Sequence, residues 1–364
     1  MQPDPTVQDA SARVRTLAAG IPSADDVVRA AAAAHLAALA TPPGALGALG
    51  ALGVQLAAST GQMPPPSLAR ARVIVCAGDH GVHAQGVSPW PQAITAMMAT
   101  TVAAGRAGVS AIAAAVDAEV MVLDVGVADT LPVDTGVRDV RIVAGTRDAS
   151  VEDAMTLDEA ARAVLAGVAA AEEAIDAGVA LLVLGDLGIA NTTTSAALVA
   201  ICTGRAPADV TGRGTGVDDP TLAHKVDVVG RIVQRVAAAP DGDGDGDGLT
   251  LLAQVGGAEH AALVGVVLAA AARRVPVLLD GVIADAAALV AVRLAPAARD
   301  HLVAGHRSTE PGATIAMDAL KLSPLIDLDL RLGEGSGGVL AVPIVRAAAR
   351  VLTDVVTLAE LGAG

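Results

Sequence analysis

The stretch VALLVLGDLGIANTTTSAALVAICTG, residues 179–204, reads as a buried strand, a polar turn and a helix. An unbroken apolar run ends at Gly185, small and polar residues follow, and an Ala-rich segment then takes over. Near-continuous apolar strands suit a parallel sheet covered on both faces. The same rhythm recurs outward in both directions. ARVIVC (71–76) precedes AGDHGV, VMVLDV (120–125) precedes Gly126, and VPVLL (275–279) precedes DGVIADAAAL. Residues 301–304 precede GHRSTEPG, and residues 328–332 precede GEGSGG. Strands alternating with helices predict a doubly wound α/β fold, in which ligands bind beyond the carboxyl ends of the strands. The Gly, Asp, His, Asn and Thr residues of this chain cluster at those ends.

Composition sets further bounds. The chain has 364 residues, of which 53% are apolar and 17% charged, so a large core can form. There is no Phe and no Tyr, and Trp90 is the single tryptophan. The core must therefore be aliphatic, with helices lying close to the sheet. A formal net charge of −15 argues against a nucleic-acid partner, because phosphate backbones are bound by basic patches. Small anions remain possible, since backbone N–H groups at helix starts can bind them. Cys76 and Cys202 form no disulfide framework and read as core filler. The N-terminal stretch has no apolar signal core, and the longest uncharged apolar runs, such as 261–272, fall short of a membrane span. A cytoplasmic enzyme with no membrane contact is the expectation. Residues 1–65 read as helices with Pro-rich breaks, and a C-terminal helix over 345–361 is placed to pack against them. Together, 1–65 and 345–364 are expected to form a small helical domain beside a sheet domain over 66–344. The run DGDGDGDG (241–248) reads as a flexible insertion. Its alternating acids resemble a calcium loop, but the twelfth position is Leu252 or Gln254, where such a loop needs a bidentate acid.

Several loops carry candidate chemistry. In GDLGIANTTT, Asp186, Gly188, Asn191, Thr192 and Thr193 precede a helix, a pattern that suits phosphate or ribose binding. The plainer reading is an N-capped turn, which needs one capping residue where four are present. TGRGTGVDD (211–219) supplies Gly214, Thr215 and Gly216 but lacks a full GxGxxG. Lys225 follows in the next helix, either reaching a phosphate or lying on a solvated face. LGEGSGG (332–338) matches GxGxxG formally, yet the chain ends before the second strand and acid of a dinucleotide fold. Glu334 is the residue of interest there. Between glycines in an apolar setting it is either a poorly solvated acid with a raised pKa, suited to general base chemistry, or a solvated turn carboxylate. The loop 77–92 offers Ser88, Trp90 and Gln92 as a heterocycle pocket, or as a Pro-stiffened surface loop. Asp79, His80 and His83 suggest a metal-dependent hydrolase, but the two histidines are not an i,i+4 pair and no further ligand set follows. Arg307 and Glu310 are expected to pair with each other.

AGDHGV, GVSPWPQ, GDLGIANTTT, TGRGTGVDD, GGAEHAAL, RVPVLLDGVIADAAAL, HRSTEPG and LDLRLGEGSGG occur in this order. Together they resemble the nicotinate-nucleotide–dimethylbenzimidazole phosphoribosyltransferase family, over roughly residues 30–360. The resemblance implies a Rossmann-like parallel sheet with a small helical domain from both chain ends, and a homodimer. It implies transfer of 5-phosphoribose from nicotinate mononucleotide to 5,6-dimethylbenzimidazole, with no cofactor and no metal. By motif, Glu334 is the implied general base, and Ser88, Trp90, Gln92 and Leu332 belong to the base site. Asp186, Gly188, Asn191, Thr192, Thr193, Gly214, Thr215, Gly216, Lys225 and Gly281 fall where the family holds phosphate, ribose and nicotinate. The family usually has Glu at position 186 and Gly at position 190, where this chain has Asp186 and Ala190. Aromatics usual after the GG and DG pairs are replaced by Ala258 and Val282. These departures keep open a degenerate nucleotide-binding paralogue without transferase activity.

Overall fold

A computed structural model describes residues 5–238 and 247–362. Among these, six strands form one parallel sheet: β1 (Ala71–Gly78), β2 (Ala118–Gly126), β3 (Arg138–Asp139), β4 (Leu181–Leu187), β5 (Val277–Leu279) and β6 (Leu302–Ala304). Their spatial order is β3-β2-β1-β4-β5-β6, and every pairing is parallel. The fold is α/β and Rossmann-like, with helices on both faces, as the apolar strands imply. The strand order reverses direction between β1 and β4. Loops leaving neighbouring strands there diverge to opposite faces and open a crevice. β1 ends in AGDHGV and β4 in GDLGIAN, so these two motifs meet at that point.

One apolar cluster on one face of the sheet includes helices Leu157–Asp176, Asn191–Thr203, Ala258–Ala272 and Val282–Leu294. The other face carries helices Gly47–Thr60, Ala93–Ala103, Gly108–Ala115 and Val342–Asp354. With no phenyl rings to fill space, the helices approach until backbones touch. A Cβ added at Gly167 would lie 1.8 Å from the Ala262 carbonyl oxygen, and one at Gly265 would lie 1.9 Å from that of Val164. Such contact between Leu157–Asp176 and Ala258–Ala272 is possible only with glycine at the crossing. A third small cluster joins Ala32, Leu39, Ala57 and Leu352, from helices Asp26–Ala38, Gly47–Thr60 and Val342–Asp354 and the residue that follows the first. Ala10, Val14 and Ala18 of helix Pro5–Ala19 belong instead to the large cluster against Leu157–Asp176.

Three expectations need correction or placement, and one strand was not expected. Residues 328–332 are not a strand. Leu328 is exposed, Asp329 has a positive φ of 53°, and pairing with β6 stops at the single bridge between His306 and Ile326. Alternating Asp327, Asp329 and Arg331 keep this segment on the surface. The two-residue edge strand β3 was not legible, since a hydrophilic dipeptide carries no apolar signal. The insertion over 241–248 lies mostly outside the described residues. Within them, the Asp247 carboxylate accepts the Leu249 N–H and so caps helix Gly248–Val255. Two helical stretches, Ala93–Ala115 and Ser336–Asp354, reach the length and hydropathy of a membrane span when the charged residues within them are allowed. The first is interrupted at 104–107, and both bury residues such as Val102, Val109, Val345 and Leu352 in the protein.

The close helix crossing is expected to be sensitive in one direction only. Gly167→Ala should lose about 3 kcal/mol, because a backbone carbonyl cannot yield to the added methyl. Gly230→Ala, in helix Asp219–Ala237 with its nearest neighbour at 4.0 Å, should gain about 0.5–1 kcal/mol from helix propensity. Urea unfolding of the two variants checks both signs.

Candidate active site

The crevice at the β1/β4 switch holds a half-open cleft with a cavity volume of about 140 Å³. Its walls come from the loops after β4, β5 and β6, from helix Ala93–Ala103, and from the glycine loop at 333–335. Glu334 lies in this wall and is 5% exposed. Three consecutive residues there are left-handed: Gly333 at φ 78°, Glu334 at 64° and Gly335 at 90°. A glutamate in that region is strained, and such strain persists only where the surroundings fix it. The fixing group is Asp280, at the end of β5. Its Oδ1 accepts the N–H groups of Gly337 and Gly338, both at 2.8 Å, and its Oδ2 accepts that of Gly335 at 3.1 Å. Gly185 packs so tightly on this loop that a Cβ there would lie 2.5 Å from the Glu334 carbonyl oxygen. The Glu334 carboxylate accepts one weak bond, from the Val109 N–H at 3.3 Å. Burial raises the pKa of Glu334, the Val109 N–H partly offsets the rise, and the nearby Asp280 charge adds a smaller upward push.

Asp186 lines the same cleft, with its carboxylate against Gly333. Burial, then the charges of Asp280, Glu259 and Glu334, push its carboxyl up to about 8, although the Asn191 amide donates to its Oδ2 at 2.9 Å. Its Oδ1 has no hydrogen-bond partner. Two carboxyl groups with raised pKa thus face one cleft, the arrangement from which acid and base roles are divided. Gly188 comes so close to β1 that a Cβ would sit 2.4 Å from the Gly78 carbonyl oxygen. Ala190, before helix Asn191–Thr203, adopts φ 77°, a conformation glycine takes at lower cost.

Lys225 is not on a solvated face. It is 1% exposed and is the largest of the fully buried side chains described. Its ammonium donates to Thr192 Oγ1 at 2.7 Å and to the Gly212 carbonyl at 3.0 Å, beside Gly214. Burial lowers its pKa to about 8, with the Glu310 charge opposing. The expected Arg307–Glu310 pair is absent among the described residues. Arg307 pairs with Asp327, and Glu310 Oε1 accepts the Gly214 N–H at 2.7 Å. Glu310 faces inward because the Gly212 Cα leaves room for it; a Cβ there would overlap its carboxylate.

The structure brings Asp186, Gly188, Asn191, Thr192, Gly214, Thr215, Gly281, Leu332 and Glu334 together around the cleft. Lys225 stands behind Thr192 and Gly214. Thr193 is fully buried with an unpartnered Oγ1, and neither it nor Gly216 is among the lining residues. The 88–92 loop also lies outside that lining. Ser88 Oγ accepts the Trp90 N–H, the indole is half-exposed, and Gln92 donates to the His80 carbonyl at 3.0 Å. Apolar walls come instead from Ile94, Met98, Leu187, Ile189 and Leu332. His80 and His83 diverge. His83 bonds the Trp90 carbonyl, whereas buried His80 contacts Glu259 Oε1 at 2.7 Å, as does His260 Nδ1. These three residues are of metal-ligand type, but both 2.7 Å contacts are hydrogen-bond distances. Sequence reasoning passed over Asp280, Thr95, Ser308 and the role of Glu310. The only signal for Asp280 was an acid between a strand end and a glycine.

The buried lysine has a measurable consequence. Its folded pKa lies below the unfolded one, so between pH 8 and 10.5 the unfolded chain holds more protons, and the penalty for burying the charge is relieved as pH rises. The stability of the wild type relative to Lys225→Met should therefore increase by about 3 kcal/mol from pH 8 to 10.5. Urea unfolding at the two pH values reads this difference, and a constant difference would place the lysine in water.

A family model described as Phosphoribosyltransferase matches residues 21–362. The chain is 51% identical over 362 residues to a nicotinate-nucleotide–dimethylbenzimidazole phosphoribosyltransferase of Salinispora tropica, covering 96% of this chain and 98% of that one. It is 46% identical to the protein of that name from Mycobacterium marinum, over 94% of each. The crystal structure of the Thermus thermophilus protein of that name superposes with a TM-score of 0.87 at 43% identity, covering 93% of this chain and 99% of the other. With the cleft at the sheet's switch point and its glycine-flanked glutamate in place, the chain belongs to the nicotinate-nucleotide–dimethylbenzimidazole phosphoribosyltransferase family.

Proposed function

We propose that this protein moves the 5-phosphoribosyl group of nicotinate mononucleotide onto 5,6-dimethylbenzimidazole, giving α-ribazole 5′-phosphate and nicotinate, with Glu334 as general base. The observation that carries the base assignment is a buried, weakly bonded carboxyl with a raised pKa inside the cleft of a family member. In the mononucleotide the leaving nitrogen is a cationic pyridinium. When one benzimidazole nitrogen attacks the anomeric carbon, the breaking bond's electron pair neutralises that ring, so nicotinate leaves without a proton. The other benzimidazole nitrogen must then lose its proton, and Glu334 takes it. Opposite-side attack and departure give inversion at that carbon.

The remaining residues bind and align. Thr192 and Thr215 offer hydroxyl donors to the phosphate, and the ammonium of Lys225 stands behind Thr192 as a buried positive charge. Asp186, protonated below about pH 8, supplies a neutral buried carboxyl beside the nucleotide. Binding energy from the remote phosphate holds the sugar for attack. The flat benzimidazole packs against Met98, Ile189 and Leu332 with Trp90 near the rim, and aliphatic walls discriminate flat rings less sharply than stacked aromatics. Ser88 and Gln92 act by shaping the base loop. No cofactor or metal enters this reading. A homodimer, a cytoplasmic setting without membrane contact, and a small helical unit centred on Asp26–Ala38, Gly47–Thr60 and Val342–Asp354 go with it. The free thiols of Cys76 and Cys202 and the third apolar cluster support the last two.

A product assay with nicotinate mononucleotide and a panel of benzimidazoles, purines and phenols tests the activity. Nicotinate release with a benzimidazole is expected, and mononucleotide binding without release for any base would favour a degenerate paralogue. Glu334→Gln should lower kcat by about 10²–10⁴-fold with mononucleotide affinity retained. Near-normal turnover in that variant would remove Glu334 as the base.

A further inference from the structure

We propose that Asp79 and His80, which do not line the cleft, are positioning residues that hold the base-binding side and the nucleotide-binding side of the site in register. The inference rests on the two-substrate reading above. These neighbours at the end of β1 feed two separate arms, Asp79 through its side chain and His80 through its carbonyl and its imidazole. In the first, Asp79 Oδ1 accepts from Thr95 Oγ1 at 2.6 Å, and Thr95 Oγ1 accepts the Ile189 N–H at 3.1 Å. Helix Ala93–Ala103 is thereby tied to the loop after β4. Asp79 Oδ2 accepts the Ala128 N–H at 2.9 Å, which anchors the arm to the end of β2. In the second arm, the His80 carbonyl accepts from Gln92, the last residue of the 88–92 loop. Its imidazole meets Thr194 Oγ1 at 3.2 Å through Nδ1, on helix Asn191–Thr203, and Glu259 Oε1 at 2.7 Å through Nε2.

The hub is rigid. Asp79, His80, Thr95, Thr194 and Glu259 are each no more than 2% exposed. A Cβ at Gly81 would lie 2.5 Å from the Arg147 backbone, and one at Gly257 would lie 2.4 Å from the His80 ring. Burial alone would raise the Glu259 pKa, but the two imidazoles beside it hold its carboxyl well below the usual range. A charged Glu259 at the first turn of Ala258–Ala272 also suits the helix N-terminus. One dipeptide thus fixes two loops that would otherwise move independently, and a shift in it misplaces both substrates.

The test measures binary dissociation constants by calorimetry, for nicotinate mononucleotide and for dimethylbenzimidazole separately, so that no turnover occurs. His80→Gln keeps a donor towards Glu259 and loses the contact with Thr194. It is expected to weaken both ligands by about fivefold or more. If it does not fold, Thr194→Val should weaken the mononucleotide alone, and Gln92→Leu the benzimidazole alone, by similar factors. A residue that only stabilises the fold would lower Tm and leave both constants of the folded protein unchanged. Unchanged constants in a folded His80→Gln, or in both single-arm variants, overturn the proposal. So does one equivalent of zinc in the purified protein whose removal accounts for the loss. A wild type that binds both ligands yet releases no nicotinate sinks the functional reading and leaves the hub standing on its binding data.

Discussion

The site depends on one carboxylate accepting three backbone N–H groups. Asp280 closes β5 and gathers Gly335, Gly337 and Gly338 around its two oxygens. A charged acceptor with several N–H donors is a strong anchor. It lets residues 333–335 remain left-handed, including a glutamate that pays in strain for its place. It also puts a negative charge close enough to disfavour ionisation of both Asp186 and Glu334. A single buried acid thus sets the geometry of the loop and adds to the effect of burial on the two carboxyl groups of the cleft.

The second constraint is the absence of phenyl and phenol side chains. Aliphatic residues fill less volume, so the fold closes by backbone contact at Gly167 and Gly265 and by the approach of Gly188 to Gly78. The last of these brings the β1 and β4 loops together at the switch point. The same composition leaves the pocket with aliphatic and thioether walls. Any planar ligand is held there by area and shape, with little help from ring stacking.

Much of this was legible in the sequence. Apolar runs ending in Gly-containing loops located five of the six strands, and the direction of a parallel sheet put the polar motifs at one edge. Glu334 was legible because an acid between glycines in an apolar context is chemically unusual. Lys225 was not, because helix periodicity cannot distinguish a solvated lysine from one that turns back beneath a glycine loop. Residues 328–332 misled because alternating Leu and Asp satisfies a strand pattern, whereas the left-handed Asp329 breaks the extended run and leaves only isolated bonds to the chain after β6. Glu310 and His80 were noticed, but their actual roles were missed for one reason. Their partners, Gly214 and Glu259, are distant in sequence, and only the fold brings them within bonding distance.

The central claim is that Glu334 is a desolvated carboxyl poised to accept a proton from a bound azole. Its side-chain ¹³C resonance, assigned by its loss in Glu334→Gln, can be titrated in the free enzyme and again with dimethylbenzimidazole bound. A midpoint clearly above 4.5 in the free enzyme, with a change of resonance when the base binds, is the result this account requires. A midpoint at or below 4.5 that ignores the bound base would contradict it.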